Sequence, residues 1–472
     1  MTRFTSALDC AAAIRSKEVS PVEVLDEYLA EVDRLNPTLN AFSLRDDERA
    51  RADAQAAADL IASSAPEDLP PFIGVPLPIK DLNHVKGWVT SFGSGAVPDT
   101  PAARDDLVVE RFRRAGFVLM GKTTTPEFGS VSVTESERFG ITRNPWNPDF
   151  TPGGSSGGAA AAVASGMAPI AHASDGGGSI RIPASCTGLV GLKASRNRIT
   201  EWTEKLHGGS TSGVLTRTIA DTAAALDVLA PTDPNAWNNA LAPQQTWSSE
   251  VGADPGRLRI RVARLGALGG EPPTSLDAAL RRTADALSDL GHDVVEGEPE
   301  WPDLLEFFGG FVTIWGTINA GVEGLDPSKL EPHNRESYTA AEAKSSIEYA
   351  KAITGLQYLS RRFMEQFGRD FDLLVSPTMA IEPPAAGWLF EGVHENPSEA
   401  VMRATPMAAF TAIFNVTGQP ALSLPLHVSE AGLPIGVQFA APACREDMLI
   451  RVGSQLEAVM PWADRWPALA AG

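Results

Sequence analysis

The sequence predicts an α/β protein built as one large domain over residues 1–472. Three observations carry this. Strand-like and helix-like segments alternate along the chain, the pattern of a sheet with helices on both faces. No internal repeat and no obvious linker divides the 472 residues, although a chain of that length has room for two or three domains. The composition is that of an ordinary globular protein, with 43% hydrophobic residues, enough for a large core.

Near the start, Ser20-Pro21-Val22-Glu23 marks a helix N-terminus. Ser20 can cap, Pro21 suits the first turn and Glu23 can close a capping box. Leu25, Tyr28, Leu29, Val32 and Leu35 follow at helical spacing, and Asn36-Pro37 is expected to stop the helix. After a second, Ala-rich charged helix, Phe72–Asp81 (FIGVPLPIKD) reads as a strand entering the core. Leu107–Ala115 reads as a helix and Phe117–Met120 as a short buried strand. Thr142–Pro152 is a loop of Pro, Asn and Asp. Gly153–Gly158 is a Gly/Ser turn leading into the narrow Ala-rich helix AAAAVAS, which Gly166 ends. Pro169–Ser174 returns as a strand. A polar excursion over 230–256 precedes a β-α-β unit. In it Leu258, Ile260 and Val262 alternate as a strand, a helix from Ser275 carries Leu276, Leu280, Leu287 and Leu290 up to Gly291, and His292–Glu296 is the second strand.

Bulk properties exclude several functions. The net charge of −20 repels phosphate backbones and anionic membranes, so no nucleic-acid or membrane partner is expected. No apolar run reaches the roughly 20 residues of a membrane span. The N-terminal stretch lacks the apolar core and cleavage site of a signal peptide. Cys10, Cys186 and Cys444 are odd in number and far apart, which points to a reducing, cytoplasmic setting and not to a disulfide framework. Neither they nor the seven histidines show metal-site spacing, so no metal and no cofactor is expected. Monomer and homodimer both remain open.

Three Gly-rich segments compete for the chemistry. Gly116-Phe-Val-Leu-Met-Gly121-Lys122-Thr123 fits the phosphate-loop pattern, but its middle is a buried strand that would hide the cradle. Gly153-Gly154-Ser155-Ser156-Gly157 fits a nucleophile elbow, yet a loop precedes it where that elbow needs a strand. The third is the block Gly153–Lys193, GGSSGGAAAAVASGMAPIAHASDGGGSIRIPASCTGLVGLK. Its second cluster, Asp175-Gly-Gly-Gly-Ser179-Ile-Arg181-Ile-Pro183, lies a helix and a strand beyond Ser155, so the chain can fold back and bring the two serines together.

This block resembles the amidase signature. So do Gly74-Val-Pro-Leu-Pro-Ile-Lys80-Asp81, Gly121-Lys-Thr-Thr-Thr-Pro126-Glu127, Thr142-Arg-Asn144-Pro145-Trp146, Phe414-Asn415-Val-Thr-Gly418-Gln419-Pro420 and Leu433-Pro434-Ile-Gly436-Val-Gln438. The C-terminal part is similar to bacterial nylon-oligomer hydrolases, and urethane-cleaving amidases share the general pattern. The resemblance implies a single α/β/α domain with a central mixed, twisted β-sheet flanked by helices. It implies a catalytic block over 72–200 and a variable substrate-pocket region at about 300–400.

The resemblance also implies roles. Ser179 attacks the carbonyl, Ser155, held through a cis peptide, relays the proton, and neutral Lys80 accepts it. An ordinary lysine, with a pKa of about 10.4, stays charged at neutral pH. The role therefore needs burial, with which Val75, Leu77 and Ile79 agree. Asp81 would oppose the role if it faced Lys80. Backbone amides of Gly176, Gly177, Gly178 and Ser179 can form an oxyanion nest, and Gly129 can contact substrate. Asp175, Arg181 and Ser156 are expected to hold the turn, Arg181 either in support of the site or as a purely structural ion pair. Two departures stand out: Gly176, where the family has Thr or Ile, and Lys193-Ala194-Ser195-Arg196-Asn197, where it has K-P-T-x-G.

Trp315, Trp388, Phe307, Phe308 and Phe390 are candidates for pocket walls, with core packing the alternative for each. The expected substrates are hydrophobic small-molecule amides, anilides, esters or carbamates, so the chain reads as an amidohydrolase and a possible urethanase. A glutamine-type transamidase subunit that needs partner chains, and a binding protein on the same scaffold, are the alternatives.

Overall fold

The computed structural model describes residues 4–266, 271–392 and 396–471. The first three residues of the N-terminal stretch discussed above lie outside the described residues. A mixed eight-stranded sheet forms the centre. Across it the strands run Asp293–Glu296, Arg259–Val262, Leu373–Pro377, Pro434–Ala440, Ala421–Val428, Val190–Lys193, Thr211–Thr216 and Ala171–Asp175. The first three are mutually parallel and every later pairing is antiparallel. The helix Thr274–Asp289 connects the parallel pair Arg259–Val262 and Asp293–Glu296, which is the predicted β-α-β unit.

A three-stranded sheet of Phe42–Arg45, Val118–Thr123 and Pro76–Lys80 lies beside the Ala171–Asp175 edge. Where a ladder bond would continue, the Lys80 N–H donates to His172 Nδ1 at 3.3 Å. The phosphate-loop look-alike is therefore a strand. Residues 118–123 are all buried, and Lys122 forms an internal ion pair with Asp81 at 3.0 Å.

The helix at Pro21–Leu39 has the expected capping box between Ser20 and Glu23. It does not stop at Asn36-Pro37 but runs one turn further, to Leu39. The side chain of Asn36 explains this. Its Oδ1 accepts the Ala41 and Phe42 N–H groups at 2.8 and 3.0 Å, and its carbonyl accepts from Asn40, so the turn around Pro37 is tied from outside. The Ala-rich helix Gly157–Ser165 is buried on all sides and ends at Gly166, whose φ of 85° only glycine adopts freely. It packs behind the edge strand that ends at Asp175, placing the two Gly/Ser turns next to each other. Among the described residues no helix is long and apolar enough to cross a membrane.

Candidate active site

Lys80 ends the strand Pro76–Lys80 and is fully buried. Side chains alternate along a strand, so Asp81 turns the other way and meets Lys122. Lys80 Nζ lies 2.8 Å from Ser155 Oγ, 2.8 Å from Ser156 Oγ and 3.2 Å from Ser174 Oγ. Burial pushes the Lys80 amine well below its ordinary pKa; the Asp175 carboxylate opposes this and the Lys205 charge adds to it. Burial also takes His172 down to about 3, so the ring beneath Lys80 is neutral.

The Gly154–Ser155 peptide is cis. The glycines around the serines serve close approach. A Cβ at Gly154, Gly157 or Gly158 would come within 2.3, 2.3 and 2.4 Å of Val133 O, Thr134 Oγ1 and Thr124 Oγ1.

The second turn is held by a buried carboxylate–guanidinium pair. Arg181 Nε and Nη2 donate to Asp175 Oδ2 and Oδ1, both at 2.9 Å, with both side chains fully buried. Burial alone would favour a neutral Asp175, but Arg181 outweighs it and holds the carboxyl well below the usual carboxylate range. Arg181 reaches further, to Gln438 Oε1 at 2.7 Å and Asn415 Oδ1 at 2.8 Å. Asn415 Nδ2 donates back to Asp175 Oδ1 at 2.9 Å. Ser174, His172, Asn415 and Gln438 were given no role at the sequence level, although Asn415 and Gln438 both lie within the C-terminal motifs.

One expected oxyanion donor is not available. The Gly178 N–H donates to Asp175 Oδ1 at 2.8 Å. Its φ of +136° and the 2.3 Å separation of its Cβ position from Thr411 Oγ1 make it the glycine that turns the loop. The amides of Gly176, Gly177 and Ser179 donate no hydrogen bond among the described residues. They remain the candidate donors. Gly129 lies against the first serine, its Cβ position 3.0 Å from Ser155 Oγ.

Ser179, Gly177 and Gly129 line one cavity of about 400 Å³. The Ser179 hydroxyl makes no hydrogen bond among the described residues, to Ser155 or to any other group. Of the five aromatic candidates, Phe307, Phe308 and Trp315 line this cavity. Trp388 and Phe390 do not. They pack on a separate buried cluster around Met379 and Leu389. Trp301 and Phe311 line the cavity without having been singled out. Phe307, Phe311 and Trp315 recur every four residues on the helix Leu304–Trp315 and stack in sequence, 5.5 and 5.2 Å apart. That spacing was the missed signal.

Trp315 also explains one departure from the family pattern. Its Nε1 donates to Ser130 O at 3.2 Å, and its ring lies 3.4 Å from where a Gly176 Cβ would stand. Leu206 Cδ1 lies only 2.9 Å from that point. Glycine at 176 lets Leu206 and Trp315 close onto the loop.

Among the described residues no group of three or more His, Cys, Asp or Glu side chains is placed to hold a metal ion.

A family model described as Amidase matches residues 23–450. The 6-aminohexanoate-cyclic-dimer hydrolase of Paenarthrobacter ureafaciens is 35% identical over 97% of this chain and 95% of its own length. A solved structure of 6-aminohexanoate cyclic dimer hydrolase complexed with substrate superposes with a TM-score of 0.91 at 34% identity, covering 98% of this chain and 99% of that one. A bacterial aryl acylamidase of the amidase signature family gives a TM-score of 0.87 at 25% identity, covering 99% and 98%. The chain belongs to the amidase family, the amidase signature class of amidohydrolases.

Proposed function

We propose that this protein hydrolyses amide bonds of small, rather hydrophobic substrates through an acyl-enzyme on Ser179, with Ser155 as proton relay and Lys80 as base. One observation carries the reading: a fully buried lysine sits at 2.8 Å from Ser155 Oγ beneath a cavity lined by Ser179. A neutral amine has one lone pair and two N–H groups. The lone pair takes the Ser155 proton, while the N–H groups donate to Ser156 Oγ and the Ser174 oxygens.

Ser179 attacks the carbonyl as its proton passes through Ser155 to Lys80. The oxyanion develops toward the free amides of Gly176, Gly177 and Ser179. The proton returns through Ser155 to the leaving amine, and water then releases the acid. The missing Ser155–Ser179 hydrogen bond forms as substrate closes the site, since catalytic hydrogen bonds often tighten only in the complex. The Asp175–Arg181 pair fixes the loop and takes no proton. The catalytic block 72–200 supplies all these groups, and the region of about 300–400 supplies much of the wall.

The wall of Phe307, Phe308, Phe311 and Trp315 favours an apolar acyl group. Similarity to 6-aminohexanoate cyclic dimer hydrolase makes cyclic and linear ω-amino acid amides the first candidates. Esters and carbamates form comparable covalent intermediates from good leaving groups, so they are cleaved too. The purified protein is assayed on hexanoyl anilide, 6-aminohexanoate cyclic dimer, a phenyl ester and a phenyl carbamate. Hydrolysis of the amides by the single chain is expected. Amide hydrolysis that needs an added partner chain, or none at all, contradicts the reading.

A further inference from the structure

Beyond Gly176 the loop borders a second cavity, of about 650 Å³. The stacked pair Phe311 and Trp315 lines both cavities and separates them. Arg196, from the second segment that departs from the family pattern, lines this second space. Its Nε donates to Gly208 O at 3.1 Å, and its Nη2 to Asn415 O and Val416 O at 3.1 and 2.8 Å. Its Nη1 makes no hydrogen bond among the described residues, and none of their carboxylates forms an ion pair with it. Glu204 acts on it only at a distance and accepts from Asn238 instead. Glu365, an acid on the cavity wall, pairs with Arg361 at 3.4 Å.

Three carbonyls thus fix the guanidinium without cancelling its charge. A partly buried cation with no counter-charge is costly, and a guanidinium does not escape by losing its proton. A carboxylate entering the cavity supplies the missing charge through a donor that is already oriented.

We propose that this cavity is a carboxylate-binding subsite, with Arg196 as its anion-binding residue, and that the enzyme prefers amides in which one half ends in a carboxylate. The inference rests on the reading of Ser179 as nucleophile, which seats the scissile carbonyl at the 176–179 loop between the two cavities. The apolar half then lies under Phe307 and Phe308, and the charged half reaches Arg196 as Leu206 and Trp315, which close on Gly176, draw back from the loop.

The test uses three amides of equal reach. N-hexylhexanamide is neutral, N-hexanoyl-6-aminohexanoate carries its carboxylate on the amine half, and N-hexyl adipamate carries it on the acyl half. At least one acid is expected to exceed the neutral amide about tenfold in kcat/KM, as a charge-assisted contact implies. N-hexanoyl-6-aminohexanoate is the acid expected to do so, because the apolar wall takes the acyl half. Arg196→Gln brings the acid-to-neutral ratio close to one whatever its absolute rate, and Arg196→Lys restores part of it. Arg196 also ties backbone together, so Gln357→Glu, an exposed charge change on the same wall, gives a second readout and lowers the ratio.

Both acids cleaved no better than the neutral amide, or a ratio unmoved by Arg196→Gln and Gln357→Glu, overturns the proposal. Calorimetric binding of the two acids to Ser179→Ala separates the two readings. Binding that disappears with Arg196→Gln, when the parent enzyme cleaves no amide, upholds the subsite and rejects the nucleophile. No difference in binding between the acids and the neutral amide rejects the subsite.

Discussion

The two sides of the cleft are built on opposite terms. On one side Lys80, Ser156, Asp175 and Arg181 are all completely buried, and each polar group is answered by a named partner. On the other, the helices Leu304–Trp315 and Ser398–Ala408 present an apolar wall and leave Leu305 85% and Met402 71% exposed. The difference follows from what each side must do. Proton transfer needs groups held to within a few tenths of an ångström, and only a buried, fully paired network does that. A wall that recognises a hydrocarbon needs only shape and apolarity, which many side chains supply. The first side should be intolerant of change and the second adjustable.

Lys80→Met should break the chemical side most completely. A loss of general-base catalysis on the order of 10²–10⁴-fold in kcat is expected, with kcat in the parent rising from neutral to alkaline pH as Lys80 deprotonates. A flat profile between pH 6 and 10, with chemistry rate-limiting, would contradict the role.

The same burial has a thermodynamic signature. The folded-state pKa of Lys80 is lowered, so between that value and the unfolded value of about 10.4 the unfolded chain binds the extra proton. Stability from this group is present above about 10.4 and is lost as pH falls through that window. Lys80→Met should therefore gain on the parent as pH falls, by up to about 1.4 kcal/mol per unit. Urea titrations at several pH values measure the gap, and a constant gap would place Lys80 as a charged residue.

Asp175→Asn comes next in size. It leaves Arg181 buried without its counter-charge, at a cost of about 3–5 kcal/mol. Met402→Ser, on the opposite wall, should stay within about 0.5 kcal/mol. Chemical denaturation of both variants measures the contrast, and equal costs would erase the distinction between the two sides. The smallest effect on catalysis is expected from Phe308→Ala. It should shift the preferred acyl chain toward longer or bulkier groups by about tenfold in kcat/KM, the scale of one or two methylenes in an apolar pocket. An unchanged chain-length profile would place Phe308 outside the acyl site.

The same contrast decides what could be read from the sequence. The chemical side is local and rigid, so its residues sit in short spaced motifs. Lys80, Ser155 and Ser156 come together as those motifs imply, and Ser179 faces the cavity beside them. Even there a single hydrogen bond changed the assignment, because only the folded loop shows the Asp175 carboxylate turning onto the Gly178 amide. The helix at Pro21 had a legible start, whereas its end depended on the Asn36 side chain reaching two amides beyond the turn. The wall was the least legible. Trp388 and Phe390 have the same chemistry as Phe307 and Phe308, and only tertiary packing sends the first pair into the cluster around Met379 and Leu389 and the second pair to the cavity. Arg196 looked like a loop irregularity until the fold placed it on a cavity.

The most direct measurement of the central claim is covalent labelling with a fluorophosphonate, followed by peptide mapping of the adduct. The adduct is expected on Ser179 and should disappear in Ser179→Ala, with labelling much slower in Lys80→Met. An adduct on Ser155, or labelling that persists in Ser179→Ala, would contradict the assignment of nucleophile and relay.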